Sequence, residues 1–172
     1  MGGPGLAGRL PPPPLTASAW LRFDAIRRAL RLVAPQSILE IGAGQGAIGS
    51  WLAPRFAYTG VELDDESRAV AAARVTATGS GEILSDLESV GPRSFDVVCA
   101  FEVLEHIEDD RDALVQWRSF VAPGGAVLLS VPAHPDHFGP VDERVGHFRR
   151  YDAAGLRSAL EAAGLRPVHL ES

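Results

Sequence analysis

The chain has 172 residues, 46% of them apolar, and a formal net charge of -6. That length fits one domain with a real core, and the acidic balance excludes a global field for nucleic acid, leaving only a local patch for such a partner. Every one of the sixteen basic residues is arginine, so no lysine can serve as a catalytic group, and the single cysteine, Cys99, cannot form an internal disulfide. Cys99 lies in an apolar run and reads as a small core residue in a reducing cytoplasm. No apolar stretch is long enough to span a bilayer, and the N-terminus does not read as a signal peptide.

Residues 1–16 are Gly/Pro-rich and read as a flexible or stiffly extended N-terminus, which leaves 17–172 as the folded domain. Trp20, Phe23, Ile26, Leu30 and Val33 recur at helical spacing, with arginines on the other face and Pro35 as a stop. A first strand is expected over about Ser37 to Gly42, followed by a helix through Ile48, Trp51 and Leu52 that stops near Pro54. A second strand covers Tyr58 to Leu63, an alanine-rich helix Glu66 to Thr78, and a short third strand ends at Asp86. Phe95 to Phe101 is continuously apolar, as a strand buried on both faces should be. Asp109 to Val121 reads as a helix closed by Pro-Gly-Gly, and Ala126 to Val131 as the fifth strand. A long loop, Pro132 to Tyr151, carries three of the five histidines. Asp152 caps a helix ending at Gly164, and Leu165 to Leu170 begins a sixth strand. This alternation predicts an α/β, Rossmann-like, doubly wound and mostly parallel sheet in a single domain. Ligands in such sheets lie beyond the carboxyl ends of the strands.

Those strand ends carry the chemistry. Ile38-Leu-Glu-Ile-Gly-Ala-Gly-Gln-Gly46 runs from a strand into glycines at alternate positions, a loop over which a ligand can approach the main chain. Glu40 sits inside that strand; it would repel a pyrophosphate and attract an ammonium or sulfonium. S-adenosylmethionine (SAM) carries both cations. Gly44 to Gly49 formally matches the dinucleotide fingerprint, but Glu40 and the acids ending the later strands do not belong to it. Glu62, about 20 residues past the first glycine, can accept two ribose hydroxyls. Asp86 could accept from an adenine amino group or simply cap the next turn, and Leu63 and Leu87 could flank the ring.

ILEIGAGQG, GVEL, SDL and FDVVCAFEVLEHI, in this order, resemble the class I SAM-dependent methyltransferases. The resemblance implies a cofactor site of Glu40, Gly42, Ala43, Gly44, Gly46, Glu62, Leu63, Asp86, Leu87, Phe101 and Glu102. It also implies a seventh, antiparallel strand beside the fifth, so that this chain lacks the family's last strand. Either the sequence is a truncated piece, or a partner or second copy completes the open edge, or the protein is a shortened variant.

If the chain turns helically after Phe101, Glu102, Glu105 and His106 share one face. The segment with a later loop histidine is similar to the small-RNA 3′-end 2′-O-methyltransferases and to the ubiquinone-pathway O-methyltransferases. In the small-RNA group such a set ligates magnesium or a similar cation, which here implies Glu102, Glu105, His106 and His147. The stretch Val131-Pro-Ala-His-Pro … Asp142-Glu-Arg-Val-Gly-His-Phe-Arg-Arg-Tyr151 looks more like a broad bacterial group of small-molecule methyltransferases, in which metal use is not implied. Without metal, His106 and His147 are the candidate catalytic groups. Arg149, Arg150 and Tyr151, with Trp20, are candidates to line the acceptor pocket; alternatively Arg149 and Arg150 pair with Asp142 and Glu143 to staple the loop. The expected function is methyl transfer from SAM to a hydroxyl of a small metabolite. The alternatives are a metal-dependent RNA 2′-O-methyltransferase, against which the acidic balance counts, and a non-catalytic SAM-binding or partner-binding module.

Overall fold

The computed structural model describes residues 17–170, with side chains from Leu21 onward. The Gly/Pro-rich N-terminus and the side chain of Trp20 therefore lie outside the described residues. The chain divides into two compact units, one ending at Gly91 and the other beginning at Pro92.

The first unit opens with α1 (Ala17–Val33), whose Phe23, Ile26 and Leu30 are buried as the helical spacing predicts. Ala34 takes a left-handed φ of 50° before Pro35, which ends the helix. Strand β1 (Ser37–Ile41) is buried along almost its whole length and pairs in parallel with β2 (Ala57–Val61). In turn β2 pairs in parallel with β3 (Glu82–Leu84), so β2 is the central strand of this unit. The helix between β1 and β2, α2 (Gly49–Leu52), is a single turn. The third helix, α3 (Asp65–Thr76), is capped by Asp64, whose carboxylate accepts the Ser67 N–H at 2.8 Å.

In the second unit, β4 (Phe95–Phe101) pairs in parallel with β5 (Val121–Ser130), across α4 (Asp110–Arg118). The apolar run thus has the limits its composition predicts. Strand β5 is longer than expected and includes the Pro-Gly-Gly read as punctuation; a Cβ at Gly125 would stand 2.6 Å from the Asp96 carbonyl oxygen, so glycine lets the two backbones approach. The loop from Pro132 to Tyr151 is not featureless. It holds a 3₁₀ turn (Pro135–His137) and a short helix, α5 (Pro140–Val145), and is closed by a bridge between Ala133 and Tyr151. Helix α6 (Ala153–Ala162) is capped as expected: Asp152 accepts the Gly155 N–H at 2.6 Å.

One expectation is corrected. Leu165 to Leu170 forms no strand; Pro167, within it, has no N–H to give to a ladder. Among the described residues β5 pairs with β4 alone, and a groove of about 500 Å³ lined by Leu128, Leu156, Leu160 and Leu165 runs beside it. Each unit is built of parallel strands with intervening helices, and the fold is α/β and Rossmann-like. No helix among the described residues is long and apolar enough to cross a membrane.

Candidate cofactor and acceptor sites

In the first unit the glycine loop leaves β1 with Gly42, Gly44 and Gly46 all at positive φ. Two of them do different jobs. A Cβ on Gly46 would stand 2.8 Å from the Cα of Ala71, so this glycine lets α3 pack against the loop, whereas a Cβ on Gly44 would meet nothing within 4 Å. Gly44 therefore faces open space, as a cradle for a ligand should. The loop is tied to the end of β2: the N–H groups of Gly42 and Ala43 both donate to the Val61 carbonyl, at 2.9 and 3.0 Å. Glu62 completes the tie, accepting the Gly44 N–H at 2.7 Å through one oxygen and the Asp64 N–H at 2.9 Å through the other. A half-buried carboxylate beside the open face of Gly44 is where a ribose could be held.

Beneath the loop, Glu40 is 2% exposed. Burial pushes its carboxyl up to about 7; the Tyr58 hydroxyl, donating at 2.6 Å, pulls the other way, and Glu62 adds to the rise. The glycines around Tyr58 make this pair possible, since a Cβ on Gly49 or Gly60 would come within 2.4 or 2.7 Å of its hydroxyl oxygen. Near neutral pH Glu40 is balanced between its two forms, and a cation arriving nearby would draw it to the charged one. Asp86, just before the 3₁₀ turn Glu88–Val90, accepts the Ser89 N–H at 2.7 Å. The Ser85 hydroxyl and that amide hold its carboxyl down to about 2, so it is a permanent acceptor. Leu63 is 76% exposed and Leu87 half-buried, while Phe23 packs on Trp51 at a centroid distance of 5.0 Å in a groove of about 630 Å³ between α1 and α2.

The second unit brings together a different set. Leu104–His106 forms a 3₁₀ turn, which puts the wholly buried Glu105 beside the exposed His106. Donor atoms of Glu105, His106 and His147 lie within 4.8 Å of one another, and the two imidazoles meet edge to face at 4.6 Å. Glu102 is not in that group. It has a left-handed φ of 56°, and its carboxylate accepts the Ser130 hydroxyl at 2.9 Å, so the implied four-ligand set reduces to three. A non-glycine residue in that conformation at a strand end is a backbone strain of the kind found at functional sites. Phe101, the last residue of β4, is buried.

His147 is placed by the end of α5. Gly146 takes a φ of 81°, its N–H donates to the Glu143 carbonyl at 3.1 Å, and the His147 N–H donates to the Asp142 carbonyl at 2.9 Å. This double bond pattern is the glycine-terminated helix stop, and it stands His147 directly over Asp142. The Asp142 carboxylate, 1% exposed, then meets three nitrogens: the donors Arg150 Nε at 2.8 Å and Gly139 N–H at 3.0 Å, and His147 Nδ1 at 2.9 Å. The Arg150 hydrogen bond, followed by those from His147 and Gly139, holds its pKa well below the usual carboxylate range against the cost of burial. Arg150 therefore staples the loop to Asp142, and Arg149 goes elsewhere, to Asp110 at 2.8 Å. Tyr151 also donates to Asp110, at 2.8 Å, and burial followed by that neighbour pushes its hydroxyl pKa up. His134 has a left-handed φ of 63° and lies 5.1 Å from the ring of His137, within the loop. The staple expected between Arg150 and Asp142 is present, whereas Asp110, and the hold of Asp142 on His147, are site features that the sequence did not single out. The one local signal was the Asp-x-x-x-Gly-His spacing of a helix stop.

A glycine loop tied to an acid at the end of the second strand, on parallel strands, defines a nucleotide-cofactor-binding α/β protein. Residues 19–170 match the family described as methyltransferase domain, and the chain belongs to that family. It is 33% identical over 103 residues to a ubiquinone biosynthesis O-methyltransferase of Idiomarina loihiensis, covering 55% of this chain and 42% of that protein. An uncharacterized methyltransferase of Mycobacterium bovis is 30% identical over 115 residues, 65% of this chain and 58% of the relative. The chain thus spans about half the length of the curated relatives it matches. The fold agrees with that of the N-methyltransferase NodS from Bradyrhizobium japonicum in complex with S-adenosyl-L-homocysteine, with a TM-score of 0.70 and 22% identity over 87% of this chain and 74% of the other.

Proposed function

We propose that the chain transfers the methyl group of SAM to a hydroxyl of a small metabolite, and that residues 17–172 act as one methyltransferase domain. The observation that carries the cofactor reading is the open space over Gly44, flanked by the Glu62 carboxylate and the buried Glu40. Glu62 would exchange its Gly44 and Asp64 amide donors for ribose hydroxyls, Asp86 would accept from the adenine side with Leu63 and Leu87 along the ring, and Glu40 would supply negative charge beneath the methionine end.

When bound, SAM supplies an electrophilic methyl: the S–CH₃ bond breaks with its electron pair left on sulfur while the acceptor oxygen forms the new O–CH₃ bond. The acceptor O–H must lose its proton in that step, and a histidine suits the task near neutral pH. His147, held by Asp142 and with Nε2 turned toward Glu105 and His106, is the residue we assign to take it. The O-methyltransferase name of the Idiomarina loihiensis relative supports an oxygen acceptor.

A second reading, in which Glu105, His106 and His147 hold a divalent cation, is favoured by their spacing. Two imidazoles and one carboxylate suit zinc, manganese or iron better than magnesium, which prefers oxygen donors.

Calorimetric titration of the chain with S-adenosylhomocysteine (SAH), followed by SAH-release assays over a panel of small hydroxylated metabolites, tests the proposal. Micromolar or tighter binding with release on one acceptor class is the expected result. A folded protein that does not bind SAH would overturn it, and binding without transfer to any acceptor would favour the non-catalytic module.

A further inference from the structure

Asp142 has no part in the cofactor site, yet it is among the most heavily bonded side chains of the second unit. Two certain donors, Arg150 Nε at 2.8 Å and the Gly139 N–H at 3.0 Å, leave it no reason to accept a proton, and Arg150 keeps it ionised. An ionised carboxylate can only accept, so the ring nitrogen of His147 that faces it at 2.9 Å must be the one that carries hydrogen. The other ring nitrogen has no comparable claim. His147 Nε2 stands 3.9 Å from Glu105 Oε1, beyond hydrogen-bond range, and its nearest ring neighbour is His106. The asymmetry selects one of the two neutral tautomers.

We propose that Asp142 is a positioning residue that fixes His147 in the Nδ1–H tautomer, so that Nε2 presents a bare lone pair toward Glu105 and His106. The inference deepens the reading above and rests on it for its catalytic consequence, although the tautomer itself does not. The devices that hold the arrangement are local. Gly146 ends α5 so that the His147 backbone and ring both bond Asp142, and Arg150, eight residues on from the aspartate, closes over the same oxygen. With its side chain 14% exposed, His147 has little freedom to flip. In a proton transfer the acceptor O–H bond breaks, the proton goes to Nε2, and the resulting imidazolium is stabilised through Nδ1–H by the ionised Asp142. The wrong tautomer would meet the acceptor with an N–H and could take nothing.

The test is a long-range ¹H–¹⁵N correlation spectrum of the histidine side chains, recorded on the full chain at alkaline pH, with His147→Gln for assignment. His147 is expected to show Nδ1 protonated and Nε2 bare. Asp142→Asn is expected to lose this exclusivity, with the Nε2–H form appearing, while SAH affinity stays within about twofold because the partners of Asp142, Gly139, His147 and Arg150, are not among the residues assigned to the cofactor. Once an acceptor is known, turnover of Asp142→Asn should fall by about 10²–10⁴-fold. An Nε2–H tautomer in the wild-type spectrum would overturn the proposal, and that spectrum needs no variant to fold. So would an Asp142→Asn protein in which Nδ1–H remains the only form. The expected tautomers with no methyl transfer to any acceptor would sink the enzymatic reading and support the positioning one.

Discussion

Replacing Glu40 by Gln tests the most unusual electrostatic feature of the first unit. The carboxyl has a pKa of 4.5 in a model compound and about 7 in the fold, chiefly because burial penalises its charge. At about 1.4 kcal/mol for each tenfold change in proton affinity, that difference amounts to about 3 kcal/mol. The folded form binds the proton more tightly, so the contribution is fully present below pH 4.5 and is lost as the pH rises through about 7. Glutamine keeps the shape and can still accept from the Tyr58 hydroxyl, but it does not titrate. Urea unfolding of both proteins followed by circular dichroism at half-unit steps from pH 4.5 to 8 isolates the effect, since every other group cancels in the comparison. The stability of the wild type relative to Glu40→Gln should fall by about 3 kcal/mol across that range and flatten above it. Curves that stay parallel would refute the reasoning, because they would mean that Glu40 ionises in the fold as easily as in the unfolded chain. The same variant links the feature to function. A neutral side chain beneath the loop should weaken SAH binding more at pH 8 than at pH 6, as only the wild type gains charge between them.

Two further expectations concern the loop and the histidine cluster. Gly46→Ala forces a left-handed alanine into Ala71 and should cost about 2–5 kcal/mol, read as a fall in melting temperature of about 5–15 °C; Gly44→Ala, with open space around it, should cost only about 1–2 kcal/mol yet lower SAH affinity the more, and the reverse order would contradict the cradle. If Glu105, His106 and His147 hold a cation, manganese titrated into chelator-stripped protein should bind with a dissociation constant below about 1 mM and Glu105→Gln should weaken it about tenfold or more, whereas identical weak binding by both proteins would dismiss the site.

The parts of the molecule that could be read from the sequence are those whose physics is local. The glycines of the loop announce positive φ, the apolar run Phe95–Phe101 announces burial on both faces, and Asp152 announces a cap, because each depends on residues within a few positions of one another. Leu165 to Leu170 misled because a strand's existence depends on its neighbour as well as on its composition, and Pro167 spoils the ladder. Helix α5 escaped notice because six residues are too few to show a 3.6-residue period. Its Gly-Pro start and Gly146 stop were the only signs.

The second unit's site was harder to read for a deeper reason. Arg149 and Arg150 are chemically the same and adjacent in sequence, yet Arg150 bonds an aspartate eight positions back and Arg149 an acid 39 positions back, at the start of α4. Nothing in the string distinguishes them. What separates them is the bridge between Ala133 and Tyr151, with the Tyr151 N–H bonded to the Pro132 carbonyl, which pins the base of the loop and turns consecutive side chains to opposite sides. One arginine is thereby directed at Asp142, where it keeps the carboxylate ionised behind His147. The other joins Tyr151 on Asp110 and anchors the loop to the helix that follows β4. The same closure explains why Asp142 belongs with the histidines. Once Gly146 has ended α5, the aspartate, the imidazole and the guanidinium converge at one point, and the tautomer of His147 follows from the charge placed there.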